Sequence, residues 1–160
     1  MNRWTRINLL LAAMAATLLV LHLWPADSPS YSPLTALDAA DVSSIRIERR
    51  NRLVLSFERN DSGWQLAYPQ VAVAQDHRVQ QLLAIAYAPV QNEFPANESL
   101  AQYGLDAPSA VLQLDQLRLS FGERDPGQRS RYVLVDGRIR VIDDVYFNFL
   151  TLPVAHFIGG

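Results

Sequence analysis

The chain has 160 residues, enough for one domain and a short extra segment, and 49% of them are apolar, so it can bury a core. The formal net charge is −2 and all 14 basic residues are arginines, which argues against a basic nucleic-acid-binding surface and excludes mechanisms that need a lysine. The absence of cysteine excludes disulfides, thiolate metal ligands and a lipidated N-terminal cysteine.

The first predicted element is an apolar helix near the N-terminus. Residues 7–23 are interrupted by only three polar side chains, and with the flanking tryptophans the run has the roughly 20 residues that cross a bilayer. Arg3 and Arg6 precede the run, and no arginine follows it until Arg46. By the positive-inside rule, this predicts a single-pass protein of the bacterial inner membrane, with a cytoplasmic N-terminus and a periplasmic C-terminal part.

A cleaved signal peptide is the alternative for the same segment. Cleavage after Ala26 would place Trp24 at a position that needs a small residue, so we favour an uncleaved anchor over residues 1–24. The following segment, 25–41, begins with three prolines among serines and predicts an extended tether. Residues 42–160 are then the periplasmic domain.

Seven strands are predicted in this domain from alternating apolar and polar residues. Short turns join them in hairpins, and Asp136-Gly137 is the strongest turn signal. Trp64, just after a turn, is expected to be buried against the helix around Leu82. The predicted strands are residues 43–50, 52–58, 63–66, 111–114, 117–121, 132–135 and 139–142.

Two helices are predicted in the middle of the domain. Residues 75–88 have apolar side chains at helical spacing with Asp76 as the N-cap, and residues 97–103 form a shorter helix between Asn97 and Gly104. A last short helix begins at Asp143 or Asp144 and runs toward Leu150. Because the strands are joined by short turns, the domain is predicted to be α+β, mainly antiparallel, with two central helices after an N-terminal transmembrane helix.

Four short sequence motifs of this domain together resemble a known family. The motifs are Gly63-Trp64-Gln65-Leu66, Tyr103-Gly104-Leu105-Asp106-Ala107-Pro108, Phe121-Gly122 and Tyr132-Val133. Together they resemble the bacterial envelope family catalogued as domain of unknown function 4340. The resemblance implies an envelope location and this fold, and some larger relatives look like partners of ABC transporters. It supplies no catalytic residues.

The Tyr-Gly-Leu-Asp-x-Pro string also has a structural interpretation of its own. Gly104 permits a positive φ where a helix stops, and Leu105 can then return to the core. Asp106 can bind the turn backbone, and Pro108 favours an extended entry into the next strand.

A search for catalytic chemistry finds only isolated groups. His77 and His156 are too few for a metal site, and Asp76 beside His77 is better read as a cap beside a surface histidine. The pair Asp143-Asp144 is typical of a helix start. The sequence therefore predicts that the protein is not an enzyme and that it binds neither a cofactor nor a metal.

Two surfaces could bind a partner or a ligand. Small and apolar side chains in the anchor and the C-terminal tail are candidate contacts with other inner-membrane subunits or with the bilayer: Ala12, Ala16, Phe147, Phe149, Leu152 and Phe157. Five arginines cluster on the first hairpin, Arg46, Arg49, Arg50, Arg52 and Arg59, and three of them, Arg46, Arg50 and Arg52, are candidates for an anionic ligand. Because Glu48 and Glu58 lie among these arginines, a salt-bridged outer face of the sheet is the favoured alternative.

The sequence leaves two functions open. The first is a non-enzymatic accessory or scaffold subunit of an inner-membrane assembly, acting through its anchor and its periplasmic domain. The alternative is a periplasmic binding module for an anionic glycan or lipid headgroup, for which the resemblance implies an association with an ABC transporter. Neither function involves nucleic acid.

Overall fold

A computed structural model describes residues 3–23, 31–96 and 99–159. The chain divides into two compact units, Met1–Ser30 and Tyr31–Gly160, and each is described by itself. Trp24, Ala26, the first part of the predicted tether and Asn97 lie outside the described residues.

The first unit is one helix, α1 (Arg3–Leu23). Several of its apolar side chains are exposed, among them Leu9, Leu10 and Leu19. The helix predicted from the sequence is therefore present. Within the residues that the structure describes, however, no helix meets the length and apolarity needed to cross a membrane, so the transmembrane part of that prediction is not supported.

The second unit is an α+β domain. Its strands are β1 (Ser44–Arg49), β2 (Arg52–Asn60), β3 (Gly63–Tyr68), β4 (Ala72–Val73), β5 (Asn92–Pro95), β6 (Ala110–Leu114), β7 (Leu117–Arg124), β8 (Ser130–Val135) and β9 (Arg138–Asp143). Its α-helices are α2 (Asp76–Leu83), α3 (Val145–Phe149) and α4 (Val154–Phe157), and two 3₁₀ helices cover Ala84–Tyr87 and Leu100–Tyr103.

Among the described residues, the strands form one sheet in the order β4-β3-β2-β1-β6-β7-β8-β9-β5, with every neighbouring pair antiparallel. Two meanders, β1–β4 and β6–β9, meet at the β1–β6 pair in the middle. The α+β class, the antiparallel sheet and all seven predicted strands are confirmed. The short edge strands β4 and β5 were not predicted, because two and four residues are too few to show an alternating pattern.

One face of this sheet, here called the inner face, carries the main hydrophobic core. Ile45, Ile47 and Leu112 lie on it with Phe57 and Trp64. Helix α2 and the C-terminal tail, residues 145–159, cover this face, and Leu82, Leu83 and Phe157 are buried in the same cluster. The predicted burial of Trp64 is confirmed, since the side chain is 3% exposed.

The opposite face, here called the outer face, is covered at one end. Leu105, Val111, Ile139 and Val141 are buried there, apart from the main core cluster. The 3₁₀ helix Leu100–Tyr103 lies over it and ends at Gly104, whose φ is 64°. The predicted roles of Gly104 and Leu105 are thus confirmed, with Leu105 packed in a second, smaller core.

Gly122 of β7 explains how this covering segment comes so close to the sheet. A Cβ atom at Gly122 would collide with the carbonyl oxygen of Tyr103 and would approach Leu105 Cγ to 2.9 Å. Only a residue without a side chain allows this approach. The sequence pair Phe121-Gly122 therefore marks where the outer core is built.

The predicted helices need three corrections. Gln75, not Asp76, is the N-cap of α2, and the Asp76 carboxylate instead accepts a hydrogen bond from the backbone N–H of Trp64 at 3.1 Å. The first predicted helix continues only as a 3₁₀ helix after Leu83. The second is a single 3₁₀ turn over Leu100–Tyr103, which ends at Gly104 as expected.

The predicted tether is too long at its C-terminal end. Leu34 and Thr35 donate backbone hydrogen bonds to the carbonyls of Ala88 and Ala86, each at 2.9 Å, and Leu34 is fully buried. Pro33 forms a bridge with Pro89. Prolines predict an extended backbone, and an extended backbone can pair with a neighbour as readily as it can span solvent.

Candidate functional site: an arginine-lined cleft

An open cleft of about 880 Å³ lies on the inner face, where the β1–β2 turn, the start of β6 and helix α3 meet. We call it the arginine cleft. Its lining combines cationic, amide and apolar groups: Arg49, Arg50, Asn51, Val54, Ala107, Pro108, Ser109, Arg131 and Phe147. Binding clefts commonly have this size and this mixture of apolar surface with a few polar groups.

Arg131 forms a fixed wall of the cleft. Arg131 lies two places from the buried Val133 along β8, so both side chains point to the inner face. Its Nε lies 2.6 Å from Asp144 Oδ1, its Nη1 donates to the carbonyl of Gly122 at 2.6 Å, and its guanidinium carbon lies 3.7 Å from the centroid of the Phe147 ring. These three contacts hold Arg131 in one orientation, and Asp144 neutralises its charge.

Arg49 and Arg50 are different, because neither is among the ion pairs of the described residues. Arg49 donates a long 3.4 Å hydrogen bond from Nη2 to the carbonyl of Leu152, and its Nε is buried without a hydrogen-bond partner. Buried donors normally have partners, since an unsatisfied one costs about 1–3 kcal/mol. The cleft therefore carries two cationic groups without compensating carboxylates.

The turn that presents these groups adopts an unfavourable backbone conformation. Arg50 and Asn51 have φ values of 49° and 59°. A two-residue hairpin turn with positive φ at both positions prefers asparagine and glycine, whereas an arginine there is disfavoured by its Cβ. A residue kept in such a conformation beside a cleft points to a functional use of its side chain.

The structure brings only one of the three predicted anion-binding residues into the cleft. Arg50 lines it, but Arg46 is exposed on the outer face, opposite Ser56 and Gln113. Arg52 is exposed as well and does not line the cleft. Of the predicted ligand residues Arg46, Arg50 and Arg52, therefore, only Arg50 lines the cleft.

Arg49 and Arg131 complete the cleft. Arg49 belongs to the arginine cluster of the first hairpin but was not singled out as a ligand residue, and Arg131 was not predicted. A signal for both was present in the sequence. Each arginine occupies a position in register with buried residues of its strand, two places from Ile47 or Val133. A charged residue at an inward position needs a partner or a function.

The predicted partner contacts in the tail either belong to the core or pack against it. Phe157 is fully buried, with its ring 5.2 Å from that of Phe57, so its assignment as a contact residue is wrong. Phe147, Phe149 and Leu152 are half-buried and pack against the core cluster. The sequence does not give the area of the inner face that the tail covers, so the apolar residues of the tail exceeded what a small core was expected to need. Ala12 and Ala16 are exposed on α1.

The remaining charged groups stabilise edges and turns. Glu93 accepts hydrogen bonds from Arg140 and Arg138, which lower the pKa of its carboxyl. Burial alone would raise the pKa of Asp115, but hydrogen bonds from Ser43 and Ser44 outweigh burial and lower it.

His156 and His77 do not form a metal site with other residues. Within the described part of the chain, no three histidine or carboxylate groups converge. His156 instead lies 3.0 Å from Gln81 Oε1, and burial together with the charge of Arg78 lowers its pKa.

Comparisons with family models, curated proteins and solved structures find no match for this chain. The resemblance noted in the sequence therefore stays a prediction.

Proposed function

We propose that this domain is a non-enzymatic binding module that holds an anionic group in the arginine cleft. The observation that carries the proposal is the pair Arg49 and Arg50, two guanidinium groups that face one cleft without a carboxylate partner among the described residues. A guanidinium group matches a phosphate or a carboxylate through paired N–H donors. An incoming anion would satisfy donors that the protein leaves free.

The neighbouring groups suggest what the anion is attached to. Phe147, Val54 and Pro108 give the cleft an apolar side, whereas Asn51 and Ser109 offer hydrogen bonds. A bare inorganic ion would use only the arginines. The cleft fits a phosphate or carboxylate carried by a larger molecule, as in an acidic glycan or a lipid headgroup.

We therefore reverse the order of the two functions that the sequence left open, and place the binding module before the scaffold subunit. The scaffold role was based in part on a surplus of apolar tail residues, of which Phe157 is buried in the core and Phe147, Phe149 and Leu152 pack against it. The binding role was based on clustered arginines, and two unpaired arginines share a cleft. The binding module is therefore our first proposal.

Attachment to a membrane or to other membrane subunits is a second proposal. Leucines such as Leu9, Leu10 and Leu19 are exposed on α1, and exposed apolar surface of this kind is normally covered by lipid or protein. The order of Arg3 and Arg6 before this helix favours a cytoplasmic N-terminus and a periplasmic domain. Protease accessibility in spheroplasts tests this location, and a domain digested only after lysis would contradict it.

The binding proposal is tested with the full chain and three probes: inorganic phosphate, a glucuronate oligosaccharide, and vesicles of phosphatidylglycerol compared with phosphatidylcholine. Affinity is measured for the wild type and for Arg49→Gln and Arg50→Gln. Each variant should bind roughly tenfold or more weakly, since a hydrogen bond to a charged group contributes about 1.5–3 kcal/mol. The vesicle and oligosaccharide arms distinguish a lipid from a glycan source.

Arg46→Gln is the matched control, because Arg46 lies on the same strand but outside the cleft. It should leave the affinity unchanged. An equal loss in Arg46→Gln would show that binding depends on general surface charge. Absence of binding to all three probes would refute the anion site.

A further inference from the structure

A second cleft, of about 460 Å³, lies on the outer face beside the covering 3₁₀ helix. Three rings form its apolar wall. Tyr103 lies between Phe94 and Tyr132, with centroid distances of 5.4 and 4.7 Å and interplanar angles of 50° and 58°. All three side chains are half-buried, so part of each ring faces the cleft.

Uncharged amides and one carboxylate surround these rings. Gln91, Asn92 and Gln128 are exposed, and Asp125 lines the cleft together with them. Among the residues that the structure describes, no arginine lines this cleft. It therefore differs from the arginine cleft in both charge and aromatic content.

The polar groups on one side of this cleft are held in place by the β7–β8 loop. Asp125 Oδ1 accepts a hydrogen bond from the N–H of Gly127 at 3.0 Å, which fixes its position. Burial, together with the charge of Asp125 and a hydrogen bond to its carboxylate, raises the pKa of the Tyr132 hydroxyl. The hydroxyl and the carboxylate thus form a linked polar pair next to the rings.

We infer that this outer cleft binds an uncharged saccharide, with pyranose C–H faces against the Tyr103 and Tyr132 rings and sugar hydroxyls bonded to Gln128, Asn92 and Asp125. A sugar ring combines apolar faces with a polar rim, and the cleft has an aromatic wall with amide and carboxylate groups around it. The cleft volume is within the range of small-molecule sites. This inference does not depend on the anion site, which lies on the other face.

Two other ligand classes fit less well. An anion would be repelled by Asp125 and would meet no cation in the lining. An organic cation would be attracted to aromatic faces and a carboxylate. The centroids of neighbouring rings, however, are only 4.7 and 5.4 Å apart, which leaves no space between the rings for an ammonium group.

The test follows ring resonances of Tyr103 and Tyr132 by NMR in the full chain, during titration with chitotriose, maltotriose or tetramethylammonium. Either trisaccharide should shift both tyrosines in a saturable way. Gln128→Ala should weaken this binding roughly two- to tenfold, the effect of one neutral hydrogen bond. The Gln128 side chain is exposed, so this change should not disturb the fold.

Gln116→Ala is the matched control, since Gln116 is also an exposed turn glutamine but lies in the β6–β7 turn. It should bind saccharide as the wild type does, and so should Arg49→Gln, which separates this inference from the anion site. Shifts produced by tetramethylammonium alone, no shifts with either trisaccharide, or unchanged affinity in Gln128→Ala would each overturn the inference.

Discussion

The inner and outer faces of the sheet bury their residues in different ways. The inner face is covered along most of its length by α2 and the C-terminal tail, and Trp64 and Phe157 belong to one continuous core there. The outer face is covered by a single 3₁₀ turn over β7–β9, with Leu105 as its main buried contact from that segment. The free energy of unfolding is therefore expected to depend mainly on the inner face. Each face also carries one of the two clefts.

The largest effect is expected on the inner face. Trp64→Ala should lower the free energy of unfolding by about 3–5 kcal/mol, because it empties a site in the main core. Denaturant melts of the full chain measure this loss. A loss below about 1 kcal/mol would mean that the inner face is not the main source of stability.

The outer face should respond less strongly and more locally. Gly122→Ala forces the Tyr103 carbonyl away from β7, and overpacking of this kind costs about 1–3 kcal/mol. In this variant, the ring resonances of Tyr103 and Tyr132 should differ from those of the wild type even without ligand. Gly127→Ala is the control, because its nearest neighbour would lie 3.8 Å away. Equal destabilisation of both variants would contradict the close approach.

A smaller effect, of opposite sign, is expected at the arginine cleft. Arg50→Asn should raise the free energy of unfolding by up to about 1 kcal/mol, since asparagine tolerates the positive φ better than arginine does. The same variant should bind anions more weakly. Arg46→Asn, at a regular strand position, should gain no stability. Lower stability in Arg50→Asn would show that the turn is not strained.

The smallest expected effect is a pH dependence confined to the tail on the inner face. The folded-state pKa of His156 is lowered below its ordinary value of 6.5, so the unfolded chain binds the proton more readily. The contribution of His156 is present above about pH 6.5 and is lost as pH falls through the folded-state pKa. His156→Gln should remove this step in melts taken from neutral to mildly acidic pH.

The outer cleft provides the contrast for that measurement. The pKa of Tyr132 is raised, so its hydroxyl does not titrate in the acid range. Ring resonances of Tyr132 should therefore remain constant while α4 loosens. A simultaneous change on both faces would show that the two cores unfold as one unit.

Local patterns were sufficient for most of the strands but not for the clefts. Alternation placed Ile45 and Ile47 on a buried face, and the turn residues Asp136-Gly137 placed a hairpin, because both signals depend only on neighbouring residues. Arg49 and Arg131 are far apart in the sequence and line one cleft only because β1 and β8 belong to one sheet. No local pattern contains that information.

By itself, the sequence determined an α+β domain of antiparallel hairpins, the stop at Gly104 and the burial of Trp64, since backbone preference and side-chain period act over a few residues. Only the tertiary structure decided which arginines share a cleft, that the apolar tail fills the inner core, and that Tyr103 comes to rest against Tyr132. Those outcomes depend on how distant strands pair and how much area each face must cover, and both are properties of the assembled sheet.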